Sequence, residues 1–194
     1  MSDKAPSTVN YTVDAGQSNF TLQAFATGLL AGFGHNPTIR VRDFSGEAQF
    51  VPDTLANASV RLVIRADSLT VIDAGKEKDR LEIEHTMLTE VLETASYPEI
   101  IFESGNITAT KIAEGKYKAK VIGDLTLHGV TRKGLWITGQ LTASGEDFRT
   151  QGETTIKQTD YKIKIVSIAV GALKLKDEVK LTFDLLWHRA SGSR

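Results

Sequence analysis

From Tyr11 to His188 the chain is a succession of stretches in which every second residue is apolar. Ala58, Val60, Leu62, Ile64 and Ala66 stand against Ser59, Arg61, Arg65 and Asp67. Near the C-terminus Leu181, Phe183, Leu185 and Trp187 stand against Lys180, Thr182, Asp184 and His188. Successive side chains on a strand point to opposite faces, so each stretch has one dry side and one wet side. A chain built almost wholly of such segments must roll its dry sides together. Its 194 residues suit one domain, and a hydrophobic content of 41% is enough for a core.

Strands are expected at 11–14, 20–26, 39–41, 44–51, 58–71, 99–104, 107–112, 116–127, 130–143, 150–156, 162–170 and 179–188. A turn is expected at Ala15-Gly16, and His128-Gly129 reads as a tight hairpin. Between the early strands lies Gly28-Leu29-Leu30-Ala31-Gly32-Phe33-Gly34, glycine-rich and apolar, neither strand nor stable helix by propensity. The one helical pattern runs from Ala74 to Leu92, with Leu81, Leu88, Val91 and Leu92 as its apolar stripe. Tyr97-Pro98 then opens a new strand. This is an all-β pattern of eight or more strands with one helix. About eight antiparallel strands close into a barrel that is either filled by side chains or holds one ligand. Residues 1–10 read as a flexible lead, 11–189 as the barrel domain and 190–194 as a flexible tail.

The balance of 23 basic and 24 acidic residues forms no basic stripe, which excludes nucleic acid as the expected partner. With no cysteine there is no disulfide, thiol nucleophile or cysteine metal site. The start of the chain is polar and carries no export signal, so it reads as cytoplasmic as written, or periplasmic if a signal has been removed. No run approaches the ~18 apolar residues of a membrane-spanning helix.

The four histidines, His35, His85, His128 and His188, are far apart in sequence. His85 lacks the partner at i+4 that a helical zinc pair needs, because residue 89 is threonine. No nucleophile elbow, P-loop or dinucleotide fingerprint is present, and serines do not neighbour histidines. The chain therefore reads as a non-enzyme, with no catalytic or metal residues and no cofactor. His35, after the apolar loop and before Asn36-Pro37, is the candidate polar group at a pocket mouth. The candidate ligand-binding residues on the inward parity are Phe20, Leu22, Phe44, Leu62, Ile64, Phe102, Val121, Leu125, Leu135, Ile165 and Leu185. Phe33 and His35 join them from the loop, and Met87 and Leu88 from the helix. Small inward residues (Ala24, Ala26, Ala48, Ala119, Gly123) are expected to leave volume that only an apolar ligand would fill.

The segment Val121-Ile122-Gly123-Asp124-Leu125-Thr126-Leu127-His128-Gly129-Val130-Thr131-Arg132-Lys133 resembles the hairpin signature of YceI-like proteins. Asp14 with Ser18 and Phe20, then His35, Phe44-Ser45-Gly46 with Phe50, and Tyr97-Pro98-Glu99-Ile100 with Phe102 and Ser104 extend the likeness over nearly the whole chain. The chain departs from the pattern at Gln17, where the family often has histidine, and at Ile83-Glu84-His85-Thr86 on the helix. The resemblance implies a lipocalin-like, antiparallel eight-stranded barrel with a helix packed across it. It also implies binding of a polyisoprenoid or similar fatty amphiphile inside the barrel, and a homodimer. Two rival readings remain at this level: a solidly packed barrel serving stress response or protein interaction, and an enzyme acting on a bound lipid.

Overall fold

The computed structural model describes residues 8–27, 36–52, 54–73, 76–168 and 173–190. Phe33, His35 and the rest of the glycine-rich loop lie outside them. Among the described residues eleven strands form one antiparallel sheet: β1 Val9–Thr27, β2 Thr38–Val41, β3 Phe44–Val51, β4 Ala56–Arg65, β5 Leu69–Val71, β6 Glu99–Ala113, β7 Lys116–Leu127, β8 Val130–Ser144, β9 Asp147–Lys157, β10 Ser167–Ile168 and β11 Leu173–Arg189. β1 pairs with β11, which closes an eight-stranded barrel and leaves the short strands β5 and β10 at the edges. β3 pairs with the first part of β1 and β2 with the second, so the two form one interrupted barrel strand. β4 and β5 do the same, because β4 pairs with β3 and β5 with β2.

Alternation dictates which side chains enter. Phe20, Ile64, Phe102, Leu125 and Leu185 are buried, while the residues between them on their strands keep contact with water. The barrel's interruptions are less visible in the sequence. Ala15-Gly16, expected as a turn, is a bulge within β1, between Asp14 and Asn19. Its amides still find partners: Gln17 donates to Asp14 Oδ1 at 3.1 Å, and Leu186 donates to Ser18 Oγ at 2.9 Å. The two segments expected at 99–104 and 107–112 are a single bulged strand, β6. The strand expected at 58–71 breaks at a 3₁₀ turn, Ala66–Ser68, where Ala66 donates to the Pro98 carbonyl.

Of the strand expected at 162–170, the described part, 162–168, is extended and paired at Ser167–Ile168 alone. A 3₁₀ turn at Gln158–Tyr161 ends in the left-handed conformation at Lys162 (φ 60°), and only Ser167–Ile168 pair, with β11. At His128-Gly129 both residues have positive φ (51° and 68°), as a two-residue hairpin between right-twisted strands requires.

The helix is shorter than its pattern. α1 spans Glu77–Thr86 and passes into one π turn, Met87–Val91, closed by the Leu92 amide on the Met87 carbonyl at 2.9 Å. Arg80 bridges Glu77 and Glu84 along one face. Glu84 also accepts the Val71 amide at 2.8 Å, which satisfies a free donor of β5 and fixes α1 to that strand. Leu81, expected on the buried stripe, is about half exposed; the face turned inward carries Ile83 and Met87. Among the described residues no helix is long and apolar enough to cross a membrane.

Candidate ligand-binding cavity

The dry faces of the strands do not meet across the barrel. They enclose a cavity of about 570 Å³ whose wall draws on every barrel strand. One end is closed by aromatic rings. Tyr11 stacks on Phe50 at 4.7 Å, Phe148 sets its edge against both, and Trp187 stacks on Phe148 at 5.6 Å. Trp187 Nε1 donates to Thr150 Oγ1 at 3.0 Å, so the buried indole is satisfied. At the other end, α1 and its π turn lie over the opening with Asp79, Glu82, Ile83, Thr86, Met87, Val91 and Leu92 on the wall. That series follows helical spacing, which is why one face of α1 serves the cavity although none of its own residues is fully buried.

Ten of the sequence-predicted residues line this space: Phe20, Leu22, Leu62, Ile64, Met87, Phe102, Val121, Leu125, Leu135 and Leu185. Three do not. Phe44 is buried behind Phe20, edge to face at 6.2 Å, and Leu88 packs against the surrounding core. Ile165 follows the turn that replaces its expected strand, and Ile163 and Val166 supply the wall there. Of the small inward residues, Ala24, Ala26, Ala48 and Ala119 line the cavity. Gly123 leaves no volume: the ring of Phe102 occupies the place of its side chain, 2.5 Å from where a Cβ would stand. Sequence reasoning missed Ile83 and Val166. The signal for Ile83 was present, four residues before Met87, but Leu81 and Leu88 drew the stripe elsewhere.

The wall is apolar with few exceptions. Thr154 donates to the Trp136 carbonyl at 3.0 Å, Gln158 donates to the Lys176 carbonyl at 2.9 Å, and Thr150 accepts from Trp187. These three polar groups are spent on holding the barrel together; Ser59, Asp79, Glu82, Thr86 and Lys174 are the other polar residues on the wall among those described. Among the described residues no buried side-chain N or O lacks a partner, and no group of three or more acidic or histidine side chains is placed to hold a metal. The family-pattern positions Asp14 and Gln17 lie outside the cavity. Gln17 Nε2 donates to Asp14 Oδ2 at 2.9 Å, and His188 reaches the same carboxylate at 3.2 Å. Asp14 is held below the usual carboxylate range by the Gln17 contacts first and His188 after them. Tyr161 is pushed up by burial beside the cavity wall. What this arrangement can do is take up hydrocarbon and keep water from it.

The sequence profile of the YceI-like domain matches residues 11–186. The chain belongs to the YceI-like family. A UPF0312 protein of Vibrio campbellii is 28% identical over 133 residues, which cover 66% of this chain and 65% of that protein. Protein YceI of Escherichia coli O157:H7 is 29% identical over 131 residues, 63% of this chain and 61% of its own length. These alignments therefore span just under two thirds of each relative. The fold is shared with BcnA of Burkholderia cenocepacia (TM-score 0.65, 18% identity, 90% of this chain and 98% of that one). It is shared equally with a polyisoprenoid binding domain from Saccharophagus degradans implicated in plant cell wall breakdown (TM-score 0.65, 19% identity, 94% and 99%). This YceI-like barrel thus keeps the family's architecture with a cavity wall built from its own side chains.

Proposed function

We propose that the chain binds a long-chain isoprenoid or similar amphiphilic lipid in its barrel and serves as a carrier or storage protein for it. The observation that carries this reading is the cavity of about 570 Å³, walled by apolar side chains and closed at one end by aromatic rings. Its size falls within the ~300–1,000 Å³ of small-ligand pockets. The force is transfer of hydrocarbon out of water, about 0.8 kcal/mol per buried CH₂. Ten such groups give roughly 8 kcal/mol before ordering costs, the scale of micromolar binding. Kinship of fold with a polyisoprenoid binding domain supports the isoprenoid class. A continuous cavity weighs against a solidly packed interaction module.

The test is organic extraction of the purified protein with mass spectrometry of what is released, beside titration with a polyprenyl alcohol. Recovered lipid, or micromolar binding of the added alcohol, is the expected result. Leu125→Asp, which sets a charge on the wall, abolishes uptake, whereas Asp124→Asn on the outer face leaves it intact. An empty extract together with no binding at millimolar alcohol defeats the proposal. Assembly as a homodimer belongs to the same proposal, and sedimentation analysis reads it directly.

A further inference from the structure

The pairing of β4 with β6 runs from Arg65 and Glu99 to Val60 and Ser104 and stops there. Both strands continue. Residues 56–59 of β4 stay on β3 and residues 106–113 of β6 stay on β7, but among the described residues neither stretch has a strand on its other side. The parting coincides with a bulge in β6 between Glu103 and Asn106. Ser104 Oγ donates to the Ile122 carbonyl at 2.8 Å and accepts the Asn106 amide at 3.1 Å, so the bulge is tied to β7 and bends β6 away from β4.

The seam left between the two strands communicates with the cavity. Ala58 and Ser59 on one lip and Ile107 and Ala109 on the other line the cavity wall. On the outside, Ser59 and Val60 also line a surface groove, together with Gly105 and Asn106. The same lip thus borders both the inner and the outer space. Gly105 shows how much room there is. A Cβ placed on it would meet nothing within 4 Å, whereas at Gly46, Gly123, Gly139 and Gly152, in paired parts of the sheet, it would stand 2.5–2.6 Å from a neighbour. A barrel wall is sealed where each strand bonds to both neighbours, and two facing edges without that ladder leave it open. Entry along the barrel axis is obstructed by contrast. The rings of Tyr11, Phe50 and Phe148 pack on one another at one end, and α1 covers the other.

We propose that the β4–β6 seam is a lateral mouth, through which a hydrocarbon tail passes sideways into the barrel. This rests on the proposed lipid binding and adds to it the route. The chain has no cysteine, so a single introduced thiol can be labelled uniquely. Ser59→Cys on one lip, and Asn106→Cys on the other, are each conjugated to a bulky polyethylene glycol maleimide. Thr138→Cys, on an exposed position of β8 paired on both sides, carries the same label as the control. The rate of uptake of a polyprenyl alcohol from phosphatidylcholine vesicles is then measured before and after labelling. Labelling either lip is expected to slow uptake at least about tenfold while the affinity at equilibrium holds, since a mouth governs entry and exit alike. Labelling Thr138→Cys leaves the rate as it was. Circular dichroism melts check that each conjugate is folded, and the two lips give independent tests should one conjugate fail to fold. Uptake through a labelled lip at the unlabelled rate overturns the lateral mouth and leaves lipid binding standing. A parent protein that takes up no alcohol removes both.

Discussion

His188 shows how one residue can hold two strands and make their junction sensitive to pH. On β11 it reaches Asp147 of β9 at 3.0 Å and Asp14 of β1 at 3.2 Å. The Asp147 contact, then the Asp14 contact, raises its pKa above the ordinary 6.5. A raised histidine favours the folded state while the imidazole is protonated in both states. Its contribution is therefore complete below pH 6.5 and is lost as pH climbs through the folded value. Asp14 works in the opposite sense: its pKa is lowered from 3.8, so its contribution is present above that value and disappears on acidification. Thermal melts of the protein should fall between pH 6 and pH 8.5, and His188→Ala should flatten that slope. At the closed end of the barrel the penalty is one of packing. Trp187 is 2% exposed and stacks on Phe148. Trp187→Ala should cost about 3–5 kcal/mol in chemical denaturation, and it also strands the Thr150 hydroxyl without its indole donor.

At the scale of elements, the π turn is the joint between helix and barrel. Just beyond it stands Glu93, whose backbone has φ 46° and whose carboxylate meets His128 Nε2 at 2.6 Å. The His128 ring lies 4.4 Å from Tyr97, and its Nδ1 is 3.3 Å from the Tyr161 carbonyl. One hairpin tip thereby latches the helix to β7, β8 and the turn after β9. Breaking the latch with Glu93→Gln should speed amide hydrogen exchange in residues 83–92 by about tenfold, roughly 1.4 kcal/mol of local opening, with the barrel strands unchanged. The hairpin itself was legible in the sequence, since His128-Gly129 stands between two alternating runs; its latching role was not, because Glu93 lies 35 residues away. The same distinction runs through the fold. Strands β7 and β8 follow from alternation because their registers are nearly unbroken. The bulge at Ala15-Gly16 reads as a turn because a glycine beside small and polar residues is a turn signal, and the pairing with β11 on both sides, Asp14 with Leu186 and Asn19 with Asp184, tells the two apart. The inward face of α1 was misread for another reason. A helix that roofs a cavity needs less apolar surface than one packed on a core, so Ile83 left only a faint period beside Leu81, while Met87, named from the sequence, does line the wall.

For the molecule as a whole, the decisive quantity is the volume the barrel leaves unfilled. Nine of the candidate residues that alternation placed inward do surround it, yet alternation alone cannot say whether facing residues touch, because that depends on strand number and tilt. Two compensations set the volume here. Alanines at 24, 26, 48 and 119 keep the wall thin, while Phe102 reclaims the space opposite Gly123. The rings of Tyr11, Phe50, Phe148 and Trp187 then make the interior a blind tube rather than a pore. A blind tube has a length, and length predicts a break in affinity. While a tail is short, each added methylene leaves water for the apolar wall and contributes up to about 0.8 kcal/mol, less the cost of ordering it. Once the tail reaches the aromatic closure, further carbons must stay outside and add nothing. Polyprenyl alcohols of increasing length should therefore bind progressively tighter and then reach a plateau. The protein's melting temperature should rise in parallel, since a ligand at about a hundred times its Kd adds roughly 2.7 kcal/mol to stability. Leu55→Ala at the closed end, where Leu55 lines the wall and packs against the core, should move the plateau to a longer tail. An affinity that climbs without a break, in the protein and in the variant alike, would mean that the tail lies along an open surface rather than inside the barrel.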